Sequence, residues 1–423
     1  MTLAYENHKY LEVMCFLNDI SERFPDAISL ASGRPVKGLL DVNAAGDYIK
    51  VFAEHYANKT EKSTSAVLSL INQYGSTAGI INDIVSEYLL QIELVECEED
   101  NILLTNGAQE SMAICLTSLF TEGDVLLALD PAYVGITGLA KINNIDIQYV
   151  SASPRGLDIE KVKEAIENCK RSGLRAKAIY LVPDFYNPIG PSMTLEQRVA
   201  IIELCKREGI YILEDSPYRQ FRFEGRDIPS MFSIDDEGWV IYLGTFSKTL
   251  SPGVRMGYLL HKSSSHQQVT RDMPSLISEF TKVKSFISVN TSQIAQAIVG
   301  GYLLSAGGSL KNALNTVCNE YKVRRDTLDT RLLKNTLKNI SWFTPEGGFF
   351  ISLRCPFEFK EEDALICAKE YGVIAVPLSF FSESSQFNNY IRLSYSYASL
   401  ENLETGIDRL SNFLRDNLYN AAN

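Results

Sequence analysis

Lys248 stands where a lysine side chain can do covalent chemistry. The run Trp239-Val240-Ile241-Tyr242-Leu243 is apolar and rich in β-formers. It passes into Gly244-Thr245-Phe246-Ser247-Lys248-Thr249-Leu250-Ser251-Pro252-Gly253-Val254-Arg255-Met256-Gly257-Tyr258. A strand that ends in these turn residues holds the amine up beside the hydroxyls of Thr245 and Ser247 and the guanidinium of Arg255. All three suit a single phosphate, so the stretch reads as a cofactor anchor. Gly253 and Gly257 are expected to let the backbone come close. Three further strand ends carry polar chemistry. Glu214-Asp215-Ser216-Pro217-Tyr218 supplies a carboxylate one strand before Lys248. Asn187-Pro188 in Val182-Pro183-Asp184-Phe185-Tyr186-Asn187-Pro188-Ile189-Gly190 is a turn signal that admits a cis peptide. Thr105-Asn106-Gly107-Ala108-Gln109-Glu110 opens a helix directly after a strand, and unpaired amides with the helix dipole make such a start an anion seat. Near the C-terminus, the alternating strand Asn389-Tyr390-Ile391-Arg392-Leu393-Ser394-Tyr395-Ser396 carries one arginine able to face inward and pair with a carboxylate.

The elements that must position these groups follow from periodicity. From residue 100 strands alternate with helices, the pattern of a mainly parallel sheet covered on both faces. Strands are expected near 102–105, 125–129, 145–150, 177–183, 209–214, 239–244 and 256–260. Helices are expected at 108–120, 158–170 and 194–208, with Asp158 and Thr194 as N-caps. In such sheets ligands sit beyond the carboxyl ends of the strands, which is where the groups above fall. Before this region, Tyr10, Val13, Met14, Leu17 and Ile20 space a helix over 5–23, and Ala27 to Pro35 reads as a short extended segment broken by Gly33 and Pro35. After about 305 a long charged helix runs through Tyr321, Arg324, Arg325, Leu328 and Leu332. Glu346-Gly347-Gly348-Phe349-Phe350-Ile351 then enters a second, smaller sheet. Ser263–Ser265 and Ser382–Ser385 read as short polar loops.

Composition bounds the partners. With 423 residues, 45% hydrophobic and 22% charged, the chain can bury a large core. A formal net charge of -12 argues against broad binding to nucleic acid or an anionic membrane. No apolar h-region or membrane span is visible. The eight cysteines lack Cys-x-x-Cys pairs, so all are expected to be reduced, buried core residues of a cytoplasmic protein. The four histidines have neither metal-ligand nor triad spacing, and no metal is expected.

In order and register, the stretch around Lys248 resembles the Schiff-base segment of class I aminotransferases, fold-type I enzymes that use pyridoxal 5'-phosphate (PLP). The resemblance covers roughly residues 25 to 410. It implies an α/β fold: a seven-stranded large domain at 46–304, a smaller α+β domain at 305–423, and an arm at 1–45 that joins the small domain. Residue by residue it implies that Lys248 anchors PLP and moves the substrate's α-proton. Asp215 would pair with the ring nitrogen, and Tyr218 and Asn187 would bond the ring's 3'-oxygen. Tyr133, in Asp130-Pro131-Ala132-Tyr133, would stack on the ring. Gly107, Ala108, Gln109, Thr245, Ser247 and Arg255 would hold the phosphate. Gln73-Tyr74-Gly75-Ser76-Thr77-Ala78-Gly79 is similar to the family's Tyr-Gly-x-x-x-Gly element, through which Tyr74 would reach the phosphate of a second subunit in a homodimer with shared sites. Arg392 would grip the substrate α-carboxylate, with Gly33 and Arg34 at the side-chain end.

The sequence departs from the family at three places: Asp83-Ile84 where Leu-Arg usually follows, Tyr186 for a Gln, and Leu378 for a Gly. The activity implied is ping-pong transamination between an amino acid and a 2-oxo acid. The segment from Phe24 to Arg34 resembles aminotransferases acting on aromatic or unusual amino acids such as phenylglycines. Two other readings stay open: another PLP reaction (elimination, decarboxylation or oxidation), and a PLP-binding regulator, which would need a DNA-binding segment ahead of the family match.

Overall fold

The computed structural model describes residues 9–36, 38–152, 156–262, 275–335 and 339–422. The expected polar loop at 263–265 and the first turn of the expected helix, residues 5–8, lie outside the described residues. That helix is Lys9–Arg23. The strands in chain order begin with β1 (Ile28–Ser29), β2 (Ile102–Thr105), β3 (Asp124–Asp130), β4 (Asp146–Ser151) and β5 (Arg175–Leu181). Then come β6 (Tyr211–Asp215), β7 (Val240–Thr245) and β8 (Gly257–His261). The last five are β9 (Ser341–Trp342), β10 (Phe350–Arg354), β11 (Val373–Ile374), β12 (Val376–Pro377) and β13 (Tyr390–Ser394).

Strands β2 to β8 form one seven-stranded sheet in the order β2-β8-β7-β6-β5-β3-β4. Every residue of β2, β3, β7 and β8 is buried, which is why these segments read as continuous apolar runs. Pairing is parallel from β4 through β7 and antiparallel where β8 enters between β7 and β2. The helices between strands start as the sequence indicates. Asp158 accepts the Glu160 amide, and Thr194 with Gln197 forms a reciprocal cap.

A four-stranded antiparallel sheet, β12-β13-β10-β9, packs with the helices Leu310–Lys334 and Leu400–Ala422 around a second core that includes Leu328, Leu353, Leu393, Leu403 and Phe413. The extended N-terminal segment joins this part: β1 pairs in parallel with β11, Ile28 opposite Val373. The Lys9–Arg23 helix buries Val13 and Ile20 in the larger core. Cys15 lies off that buried face and is exposed, and Cys318 is half-buried, so the expectation of eight buried thiols is corrected to six. No helix of the described residues is long and apolar enough to cross a membrane.

Candidate active site

Register brings the chemistry to one edge. Gly257 of β8 lies opposite both Thr105 of β2 and Thr245 of β7, so the two threonines flank it at the same level of the sheet. Asp215 ends β6 opposite Leu243, two residues before Thr245. A Cβ at Gly257 would come within 2.8 Å of the Gly107 carbonyl carbon and 2.9 Å of the Ala108 nitrogen, so glycine is required for this strand to pass under the helix start. Gly253 has no such role: its Cβ would have room, with nothing nearer than Ser251 Oγ at 3.6 Å. The expectation of close approach at 253 is corrected accordingly. Gly107 caps the Ala108–Leu119 helix at φ 79°, a left-handed conformation natural only to glycine.

These edges open into a cavity of about 1240 Å³. From the large sheet it is lined by Ala108, Gln109, Tyr133 and Asn187, then by Asp215, Tyr218, Thr245, Ser247, Lys248 and Arg255. From the other side come Gly33, Arg34 and Arg392. Gly107 is not among the lining residues, and a Cβ on it would come within 2.7 Å of Arg255 Nη2. Tyr74 is elsewhere, 85% exposed and away from the lining.

Lys248 Nζ donates to the Gly33 carbonyl at 2.9 Å, tying the anchor strand to the N-terminal segment. Burial pushes its pKa down to about 8, Asp215 pulls it back up, and the charges of Arg255 and Arg392 push it down further. Asp215 is buried, which drives its carboxyl up to about 7 against the Tyr180 hydrogen bond and the Lys248 charge. Tyr180 donates to Oδ2 at 2.5 Å, while Oδ1 is buried with no hydrogen-bond partner among the described residues. An unpaired buried carboxylate oxygen is costly, and it suits a ligand that brings a proton to it.

Arg392 is 5% exposed, and burial lowers its pKa to about 10. Its Nη1 donates to Asn187 Oδ1 at 3.1 Å and its Nη2 to the Ala31 carbonyl at 3.0 Å, while Nε is buried without a partner among the described residues. The rings of Phe350 and Phe381 each lie 4.5 Å from the guanidinium centre. Ser352 and Val376 flank Arg392 in register on β10 and β12. At the opposite end Ser247 Oγ accepts from Arg255 Nη1 at 3.3 Å, and Arg255 itself adopts a left-handed backbone, φ 51°. Burial raises the Tyr133 phenol to about 12, so it stays protonated. Its ring lies so close to Gly135 that a Cβ there would overlap it at 2.2 Å.

Sequence reasoning missed Tyr180, Phe350 and Phe381. Tyr180 had a signal: it lies in the apolar second half of β5, before the Asn187 turn, and a buried tyrosine needs a hydroxyl partner. Phe350 and Phe381 had none, because their contact with Arg392 is made between strands and a short turn distant in sequence. Tyr186, the departure from Gln, points away from the cavity and donates its hydroxyl to the Pro131 carbonyl. The Asn187-Pro188 peptide is cis, as is Asp130-Pro131. Arg34 is exposed at the mouth, its carbonyl held by Ser396 Oγ at 2.7 Å.

The family model for aminotransferase class I and II matches residues 56–410. The chain is 34% identical over 401 residues to (S)-3,5-dihydroxyphenylglycine transaminase of Amycolatopsis orientalis, covering 94% of this chain and 90% of that protein. It is 26% identical over 395 residues to aromatic-amino-acid aminotransferase 1 of Thermococcus litoralis, covering 93% and 89%. Among solved structures, Pyrococcus horikoshii kynurenine aminotransferase, described in complex with PMP, KYN as substrates and KYA as products, superposes with a TM-score of 0.82 at 26% identity over 96% of this chain and 95% of that one.

Proposed function

The chain belongs to the class I and II aminotransferase family, and from that premise we propose which residues do its chemistry and which substrates it takes. It is a PLP-dependent aminotransferase of fold type I, passing an amino group between an amino acid and a 2-oxo acid. When bound, PLP supplies a protonated ring that draws electrons from the substrate's α-carbon. In our reading Asp215 Oδ1 holds the ring nitrogen's proton, and the observation that carries the reading is this partnerless buried oxygen in one cavity with Lys248 and Arg392. Lys248 would hold the cofactor covalently, and once the substrate's amine has displaced it, its neutral amine would take the proton from the α-carbon and deliver it to the cofactor's C4' carbon. Asn187 commits its oxygen to Arg392, which leaves Nδ2 to donate, with Tyr218, to the ring's 3'-oxygen. Tyr133, which lines the same cavity, would pack on the ring face. The amides of Ala108 and Gln109, shaped by Gly107, hold the phosphate with Thr245, Ser247 and Arg255.

For the substrate we propose an aromatic, phenylglycine-type L-amino acid, supported by the 34% identical relative and by the phenyl rings around Arg392. Gly33 and Arg34 take the side-chain end, with Arg34 able to meet a distal polar group at the mouth. Incubation with one amino donor and no acceptor should release one equivalent of 2-oxo acid per site. Elimination or decarboxylation would instead release ammonia or carbon dioxide, and a regulator would release nothing. Among donors paired with 2-oxoglutarate and pyruvate, the account expects hydroxyphenylglycines to be the fastest.

Arg392→Lys should weaken donors and acceptors by a similar factor, about 1.5–3 kcal/mol, because an ammonium cannot reproduce the two-pronged grip. Steady-state KM values across several substrates check this. A loss confined to one substrate would place Arg392 at the side-chain end instead.

We further propose a two-fold homodimer with shared sites. Tyr74 at 85% and Phe286 at 93% exposure, with Ile287, Val289 and Ile294 also exposed, are unusual for a free surface. Gly75 packs onto Gln293, the neighbour of Ile294 in the chain, which brings the Tyr74 turn beside the start of the Gln293–Ala306 helix. Lys248→Ala and Tyr74→Phe chains, each impaired alone, should regain activity when mixed and exchanged. Exchange without recovery would exclude a shared site. The same reading divides the chain into a 1–45 arm, a 46–304 large domain and a 305–423 small domain, supported by the second core, and places it in the cytoplasm, supported by its free, mostly buried thiols.

A further inference from the structure

A carboxylate sits in the first turn of the Ala108–Leu119 helix, directly behind the proposed phosphate seat. Glu110 turns back on itself: Oε2 accepts the Asn106 amide at 2.6 Å, and both oxygens accept Asn106 Nδ2 at 3.1 Å. Its side chain is 7% exposed, and it meets Lys284, fully buried, which reaches over from the Leu276–Ile287 helix. Lys284 Nζ donates to Glu110 Oε2 at 3.0 Å and to Ser288 Oγ at 3.0 Å. Burial pushes the Glu110 carboxyl up, but hydrogen bonds from Ser288, Asn106 and Lys284 and the Lys284 charge more than reverse this, so it is held below its ordinary value and charged. Neither side chain lines the cavity. The Asn106 carbonyl accepts from Arg255 Nη2 at 3.5 Å, so the pair braces the turn on which Arg255 rests.

A bare carboxylate there would repel a dianionic phosphate across low-dielectric protein, and without a partner it would be costly to bury. We propose that Lys284 is a positioning residue for the cofactor phosphate: by neutralising Glu110 and fixing it on the Asn106 amide, it locks the turn from Thr105 to Gly107 against Arg255 and keeps the cradle electropositive. This rests on the reading that the phosphate sits at the start of the Ala108–Leu119 helix.

The test compares PLP with pyridoxal, which lacks the phosphate. Full-length protein stripped of cofactor is titrated with each, following absorbance, for wild type, Lys284→Gln, Glu110→Gln, the double variant and Arg255→Met. Lys284→Gln should weaken PLP by roughly 10- to 100-fold, the scale seen for outer partners of a bound ion, and leave pyridoxal unchanged. The double variant should regain most of the loss. If Lys284→Gln does not fold, Glu110→Gln decides: PLP should bind as tightly as in wild type or tighter, and selective weakening of PLP overturns the proposal. Equal weakening of both ligands, or no weakening by Lys284→Gln, also overturns it. If Arg255→Met fails to reduce the preference for PLP over pyridoxal, the phosphate reading itself falls. If it does reduce that preference while Lys284→Gln does not, only the role of Lys284 falls.

Discussion

Lys248→Ala should abolish measurable transamination while leaving the fold intact. The side chain stands in the turn after β7 and donates a hydrogen bond to the Gly33 carbonyl, so its removal costs the fold little. Its removal costs the reaction two functions at once. A positioned acid–base group alone contributes roughly 10²–10⁴ in rate, and loss of the covalent anchor adds to that. Added methylamine should return part of the activity, because a small neutral amine can take the α-proton. The pH profile of wild type carries the same information. In cofactor-free protein the amine is held down to about 8 by burial, so its reaction with carbonyl reagents should rise with a midpoint near that value. In Asp215→Asn the midpoint should move lower, since the carboxylate that favours the ammonium is gone. A midpoint near an ordinary lysine's would mean that Lys248 is not desolvated as described.

Asp215→Asn should slow transamination by roughly 10²–10³-fold, the scale of removing one preorganised electrostatic partner of the reacting system. An amide cannot hold the ring nitrogen's proton, while the phosphate contacts proposed for Thr245, Ser247 and Arg255 would keep the cofactor bound. The effect on the cofactor-free protein runs the other way. Asp215 is raised from its ordinary 3.8 to about 7, so its contribution to stability is fully present below 3.8 and is lost as pH rises through about 7. Asparagine does not titrate, so the variant's melting temperature should be flatter between pH 4 and 7 than that of wild type. A variant with wild-type rate would show that Asp215 has been given the wrong role.

Much of the large sheet was legible because β2, β3, β7 and β8 are buried throughout and are therefore written as largely apolar runs bounded by turn residues, whereas β4 and β5 are partly exposed. Asp215, Lys248 and Asn187 were legible for the same reason: each stands at such an end, where local sequence alone exposes it. Arg392 could be placed on a strand, but the two phenyl rings that clamp it come from β10 and from the turn after β12, and no local pattern joins them. Tyr180 lay in plain view within β5, yet its hydroxyl acquires meaning only when β6 is laid beside it with Asp215 at its end. Cys15 was misread because composition ranks cysteine as a core residue, whereas the helix that carries it buries a face through Val13 and Ile20. Gly253 was misread because a glycine near a phosphate turn looks conformationally necessary, while only Gly257 is hemmed in by backbone. Tyr74 is an exposed tyrosine within the single chain, and the role proposed for it would need a surface supplied by a second chain.

The most direct test of the central claim is to find where the cofactor is attached. Protein reconstituted with PLP, reduced with borohydride and digested should yield one labelled peptide, with the mass of reduced PLP on Lys248 and no label once Lys248 is replaced by alanine. Label on any other lysine, or a protein that stays unlabelled after reconstitution, would contradict the account.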